Sequence, residues 1–116
     1  MTDDQQAARA STRPAVVTLP VKVDTAASRS LCGQLGSALA SATTVIADMT
    51  ATTFCDSSAV HILLMAQEQA VATGVELRLV VRSAAVLRAL AAMGADWLLP
   101  VYASLEDALA SDRHRG

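Results

Sequence analysis

Apolar positions along the chain fall into eight blocks whose spacing alternates between two residues and three to four, the periods of strand and helix. Residues 15–23 (AVVTLPVKV) alternate at Val17, Leu19, Val21 and Val23 and predict a strand; Pro20, with no N–H to donate, puts it at an edge or bends it. Residues 26–40 carry Ala27, Leu31, Leu35, Ala38 and Leu39 on one stripe and predict a helix, with Asp24 and Thr25 as cap residues. Gly33 and Gly36 weaken it by about 1 kcal/mol each. Residues 44–49 (TVIADM) are a short, nearly unbroken apolar run of the kind found in a buried strand.

The second half repeats the scheme. Residues 57–73 predict a helix with Val60, Leu63, Leu64 and Val71 on one side and Ser57, His61 and Glu68 on another, stopped by Gly74. Residues 75–81 (VELRLVV) alternate like a strand, and Ser83 opens a helix carrying Val86, Leu87, Leu90 and Ala91 that Gly94 ends. Residues 98–102, marked by Pro100, predict a short edge strand; Ser104 and Asp107 form a capping box for a last helix to residue 110. Strand and helix thus alternate four times. That order argues a single α/β domain over residues 15–110, with a small mixed or parallel sheet of about four strands and about four helices. Residues 1–14 and 111–116 are polar, without period, and are expected to be flexible tails.

Composition sharpens this picture by exclusion. The 116 residues are one domain's worth, and their 53% hydrophobic content is mostly Ala, Val and Leu. Phe54, Trp97 and Tyr102 are the only aromatics, too few for a base-stacking platform, and a net charge of −2 gives no pull toward polyanions, so no nucleic-acid partner is expected. Arg78, Arg82 and Arg88 read as solvated surface charges. Cys32 and Cys55 lack ligand spacing with His61 and His114 and are expected to be free thiols, with no metal or other cofactor. No run is long enough to insert in a membrane and the N-terminus has no apolar leader core, so a soluble, cytoplasmic protein is expected.

Candidate chemistry concentrates in residues 53–60 (TFCDSSAV), a short run of turn and cap residues that separates a strand-like segment from the long helix of residues 57–73. Two hydroxyls and a carboxylate meet at a helix start, where backbone N–H groups lack partners and the helix dipole is positive. The residues alone allow two readings, helix capping alone or a regulatory phosphosite.

Three segments carry a resemblance to the domain shared by sulphate transporters and anti-sigma factor antagonists, the STAS family. Residues 16–31 (VVTLPVKVDTAASRSL) resemble its strand, Asp, Thr-Ala pair and helix; residues 45–64 (VIADMTATTFCDSSAVHILL) resemble its hallmark Asp-Ser-Ser-Gly-Leu helix start; residues 86–110 resemble its closing Leu, Gly, strand and Ser-Leu-Glu-x-Ala-Leu helix. The resemblance implies a non-enzymatic, bacterial transcription regulator. In such proteins the serine after the motif Asp, here Ser57, is phosphorylated by a serine-kinase anti-sigma factor. Binding of the unphosphorylated form frees a sigma factor, phosphorylation breaks the complex, and a serine phosphatase resets it. The implied partner surface comprises Asp24, Thr25, Asp56, Ser58, Ala59, His61 and Met65. Two departures stand out: Ala59 and Val60 replace the motif Gly and Leu, and the family's first strand is missing or shortened.

The individual residues keep simpler readings as well. Asp24 reads as a helix cap, Asp48 as a strand-end turn residue, His61 as an exposed histidine one turn beyond Ser57, and Met65 as core filling. Cys55 beside Asp56 is a poor thiolate and so no nucleophile. A non-switching scaffold subunit, in a stressosome-like or lipid-transport assembly, is the alternative function. A phospho-aspartate receiver with Asp48 as acceptor would need a lysine late in the sheet, and Lys22 is the only lysine.

Overall fold

A computed structural model describes residues 13–110; the two predicted tails, apart from Arg13 and Pro14, lie outside the described residues. The elements are β1 (Ala15–Thr18), β2 (Lys22–Val23), α1 (Thr25–Ser41), β3 (Thr44–Met49), β4 (Phe54–Cys55), α2 (Ser57–Thr73), β5 (Glu76–Val81), α3 (Ala84–Ala92), α4 (Ala95–Leu98), β6 (Val101–Tyr102) and α5 (Leu105–Ala110). The predicted α/β architecture is present. Four strands form a parallel sheet in the order β1-β3-β5-β6, which puts both proline-marked segments at its edges.

Strand alternation sorts the sheet into two unequal faces. Val17, Val45, Ala47, Met49, Leu77, Leu79 and Val81 point to one side and pack with Leu31 and Leu35 of α1, Val60 and Leu63 of α2 and Val86 and Leu90 of α3. Val60 and Leu63 are fully buried, each contributing about 1.5–3 kcal/mol through loss of water-exposed apolar area. The opposite face is covered by α5 through a small cluster of Ile46, Val80, Ala108, Tyr102 and Leu105.

Several expectations are corrected. Residues 15–23 are two strands: β1 ends its pairing with the Leu19 N–H donating to the Asp48 carbonyl at 2.9 Å, and beyond Pro20 the chain leaves the sheet. There β2 pairs in parallel with β4, a segment read from sequence as turn and cap, in a separate two-stranded ribbon. Arg78 is no surface charge but completely buried, because the alternation that sends Leu77 and Leu79 to the main core turns Arg78 under α5. Its guanidinium is satisfied by Glu76, at 3.0 Å, and by the Ala108 carbonyl, at 2.7 Å. Val71, expected on the apolar side of α2, is 69% exposed, and Met65, read as core filling, is 49% exposed.

The helix ends follow the expected chemistry. Gly74 adopts φ 77°, a left-handed conformation that costs glycine little, and lets Val75 N–H reach the Ala70 carbonyl at 2.8 Å. Gly94, at φ 70°, follows α3 and also opens a further short helix, α4, which sequence periodicity did not separate from the strand after it. Ser104 Oγ accepts from Asp107 N–H at 3.0 Å at the start of α5.

Candidate functional site

The ribbon of β2 and β4 delivers two helices side by side. Lys22 lies against Phe54 and Val23 against Cys55, and the Asp56 N–H donates to the Val23 carbonyl at 3.2 Å. Each strand is followed by an aspartate, and each aspartate caps the helix that comes next. Asp24 Oδ1 accepts from Ala27 N–H at 3.0 Å at the start of α1, and Asp56 Oδ1 accepts from Ala59 N–H at 3.1 Å at the start of α2. The expected cap role of Asp24 is therefore present.

Asp56 does more than cap. The Ser58 hydroxyl donates to its Oδ1 at 2.6 Å, and that bond, ahead of the Ala59 N–H, holds the carboxyl below the ordinary carboxylate range; a Thr25 hydroxyl contributes a smaller share. Ser58 Oγ also lies 3.4 Å from Ser28 Oγ, a side chain only 3% exposed. Since the one Ser58 proton is directed to Asp56, Ser28 is the donor in that pair. A relay from Ser28 through Ser58 to Asp56 thus ties α1 to α2. Ser57 is the first residue of α2 and is exposed, and its hydroxyl has no hydrogen-bond partner among the described residues. Adjacent serines consequently have opposite characters, one engaged in structure and one presented to solvent.

A groove of about 400 Å³ runs between α1 and α2 from this edge, lined by Thr25, Ser28, Arg29, Cys32, Ser58, His61 and Ile62. It gathers Thr25, Ser58 and His61 from the predicted set, with exposed Met65 one turn beyond His61 on α2. Ala59 is different. It is fully buried in the main core, so it cannot itself touch a partner, and its methyl group, where the family motif has glycine, fills the interior and leaves the surface unchanged. Ser28, Arg29 and the half-exposed Phe54 belong to this edge and were missed; the one sequence signal for the first two is their position four and five residues after Asp24.

Asp48 lies one strand away and makes a local turn, its Oδ1 accepting from the Thr50 N–H at 3.0 Å and from the Thr50 hydroxyl. Its loop is pinned to the ribbon by the Thr52 hydroxyl, which donates to the Pro20 carbonyl at 2.8 Å. Burial, then the charge of Asp56, pushes the Cys55 thiol up, which disfavours the thiolate. Cys32 and Cys55 are free. Among the described residues no cluster of three or more His, Cys, Asp or Glu could hold a metal, and no helix is long and apolar enough to cross a membrane.

The fold and this edge define a small parallel α/β module with a hydroxyl presented on a capped helix start. The chain belongs to the STAS domain family, whose model matches residues 5–108. The match begins ahead of β1, so the expectation of a missing or shortened first strand falls on residues outside the described ones. No curated protein matched the chain in sequence. Among solved structures it is similar to an anti-sigma factor antagonist from Mycobacterium paratuberculosis, with 27% identity, TM-score 0.78 and 86% of each chain covered. It is similar in fold to a sulfate transporter family protein from Wolinella succinogenes, with 21% identity, TM-score 0.77 and 87% of this chain and 85% of that one covered. A third likeness is to the Bacillus cell fate determinant SpoIIAA in its phosphorylated form, with 22% identity, TM-score 0.67 and 90% and 94% covered.

Proposed function

We propose that this protein is an anti-sigma factor antagonist that binds a serine-kinase anti-sigma factor, thereby releasing a sigma factor, and that phosphorylation of Ser57 switches it off. The observation that carries the reading is the division of labour between the two serines: Ser58 is held by Asp56, while Ser57 is exposed at the same helix start. Likeness to an anti-sigma factor antagonist at 27% identity supports it. A phosphate on Ser57 brings about −1.5 to −2 charge beside Asp56, and like-charge repulsion then disrupts any partner packed on this edge. The helix tolerates the group, since anions suit its first turn, so the switch acts on the interface and leaves the fold intact. On this reading the protein is a cytoplasmic binding module without catalysis of its own, its partner surface comprises Asp24, Thr25, Asp56, Ser58, His61 and Met65, and a serine phosphatase restores the active form.

The test is intact-mass analysis after incubation with Mg-ATP and each serine-kinase anti-sigma factor of the same genome, beside pull-down of the same kinases. Gain of a phosphate together with loss of the complex is the expected result. Binding without any phosphate would favour the second reading, a non-switching scaffold or adaptor subunit, for which the likeness to a sulfate transporter family protein speaks.

A further inference from the structure

Among the described residues the large apolar side chain most exposed to water is the chain's one tryptophan. Trp97 is 89% exposed and its neighbour Leu98 61%, both on α4, which packs against α2 and α3. The Gln67 amide of α2 donates to the Leu98 carbonyl at 3.0 Å, and exposed Val71 lies one turn further along the same face of α2. Beside them is a recess of about 340 Å³ walled by Gln67, Val71, Gly74, Val75, Glu76 and Pro100. An apolar knob and a recess thus share one face. Gln67 adds a chemical preference. Its Nε2 is used on Leu98, but its Oε1 is buried without a hydrogen-bond partner among the described residues. An unpaired buried acceptor is unfavourable, and turning it slightly toward a donor in the recess would relieve it. The group that suits this place is an apolar body with one donor and no acceptor, which is the chemistry of an indole.

We propose that this face pairs with the same face of a second copy of the chain, Trp97 of each copy entering the recess beside Val71 of the other. A knob and a recess on one face are what a twofold, self-complementary interface needs, since the axis matches each to the other and closes the assembly at two. Trp97, Leu98 and Val71 together leave roughly 400 Å² of apolar surface in water, a patch of the size that monomers keep for an interaction. Paired about a twofold axis, the two patches and their rims bury about 1,200 Å² in total, the lower end of specific interfaces, so the dimer is weak and concentration-dependent. A bilayer suits the face less well, because Asp96 stands next to Trp97 where an anionic surface would call for Lys or Arg. Ser57 opens α2 and Val71 lies near its other end, roughly 21 Å along the helix, so pairing leaves both Ser57 edges open. The inference stands apart from the reading of Ser57.

Because Trp97 is the only tryptophan, its emission reports on the proposed contact and on nothing else. The full chain is followed by sedimentation equilibrium and by tryptophan emission from about 1 µM to about 1 mM, the span in which an interface of this size exchanges. Trp97→Ala and Val71→Glu, both at exposed positions and checked for folding by circular dichroism, are run beside it; Val71→Glu retains the fluorophore and sets a carboxylate in the recess. The expected result is a monomer–dimer equilibrium in which emission moves to the blue in step with the dimer fraction. Each substitution should weaken pairing at least about tenfold, as for a central aromatic anchor. A monomer with red emission at every concentration would overturn the proposal and leave the face to a different protein. Blue emission from the monomer at the lowest concentration would overturn it too, by showing the face covered by residues of the same chain. A dimer whose emission stays red, or one that Val71→Glu leaves as tight as before, would place the contact elsewhere and likewise overturn it.

Discussion

The four-stranded sheet and the β2–β4 ribbon hold their shapes by different means. The sheet buries Val45, Ala47, Met49, Leu77 and Leu79 on one face, and exclusion of water from that face fixes its geometry. The ribbon has two residues per strand, of which only Val23 and Cys55 are buried, and its geometry depends on caps, a serine relay and the Thr52 bond to Pro20. An interior held by nondirectional packing tolerates a surface that changes charge. A site held by directional bonds can place one hydroxyl in structure and its neighbour in solvent, which packing alone does not do.

Five substitutions test this contrast. Leu63→Ala should cost about 3 kcal/mol in denaturant unfolding by opening a cavity in the fully buried core, and should leave the Asp56 carboxyl resonance in place. Next in size, Glu76→Ala removes the carboxylate paired with the buried Arg78 guanidinium and should cost about 2–3 kcal/mol, since Glu76 is itself partly exposed. Replacing Arg78 by Met in the same chain should recover most of that loss; no recovery would mean that Arg78 is held mainly by α5. Asp56→Ala should cost about 1 kcal/mol, the usual worth of a helix cap, and loosen the ribbon more than the sheet in amide exchange.

Ser58→Ala should have the smallest effect on stability and the most specific one on titration. Because the Asp56 carboxyl is held below its unfolded value of about 3.9, its contribution is complete above that pH and is lost as pH falls through the lower folded value. Removing the Ser58 hydroxyl takes away the largest cause, so the Asp56 midpoint should rise and the acid loss of stability should begin at higher pH. An unmoved midpoint in a carbon-detected titration would show that the backbone N–H groups suffice.

The same contrast explains what could be read from residues alone. Periodicity placed the main strands and helices, since strand-period and helix-period burial are local properties of the chain. Asp56, Ser57 and Ser58 were legible as a helix start because cap residues act within four positions. The pairing of Lys22 with Phe54 was not, because β2 and β4 are two residues long and meet across 32 positions. Arg78 was misplaced for a related reason: alternation shows which face a residue takes, and only the distant α5 decides whether that face is covered. Ser28 and Arg29 gain their meaning from Ser58 and His61 across the groove, a relation that no window around either residue contains.

Among the described residues the four strand pairs of the sheet and the ribbon are all parallel, and their partners stand 30, 32, 32 and 22 residues apart, as in Ala15 with Val45, Lys22 with Phe54, Thr44 with Glu76 and Leu79 with Val101. None of these ladders is a hairpin that could close early, so each waits for an intervening helix to dock before its loop entropy is recovered. The Ser57 edge inherits that dependence. It is a conformational epitope, created only when strands from two crossovers have met, and a peptide spanning residues 53–61 lacks the Val23 carbonyl, the Ser28 hydroxyl and the groove wall. An enzyme that reads this edge therefore reads finished molecules and passes over nascent or unfolded ones.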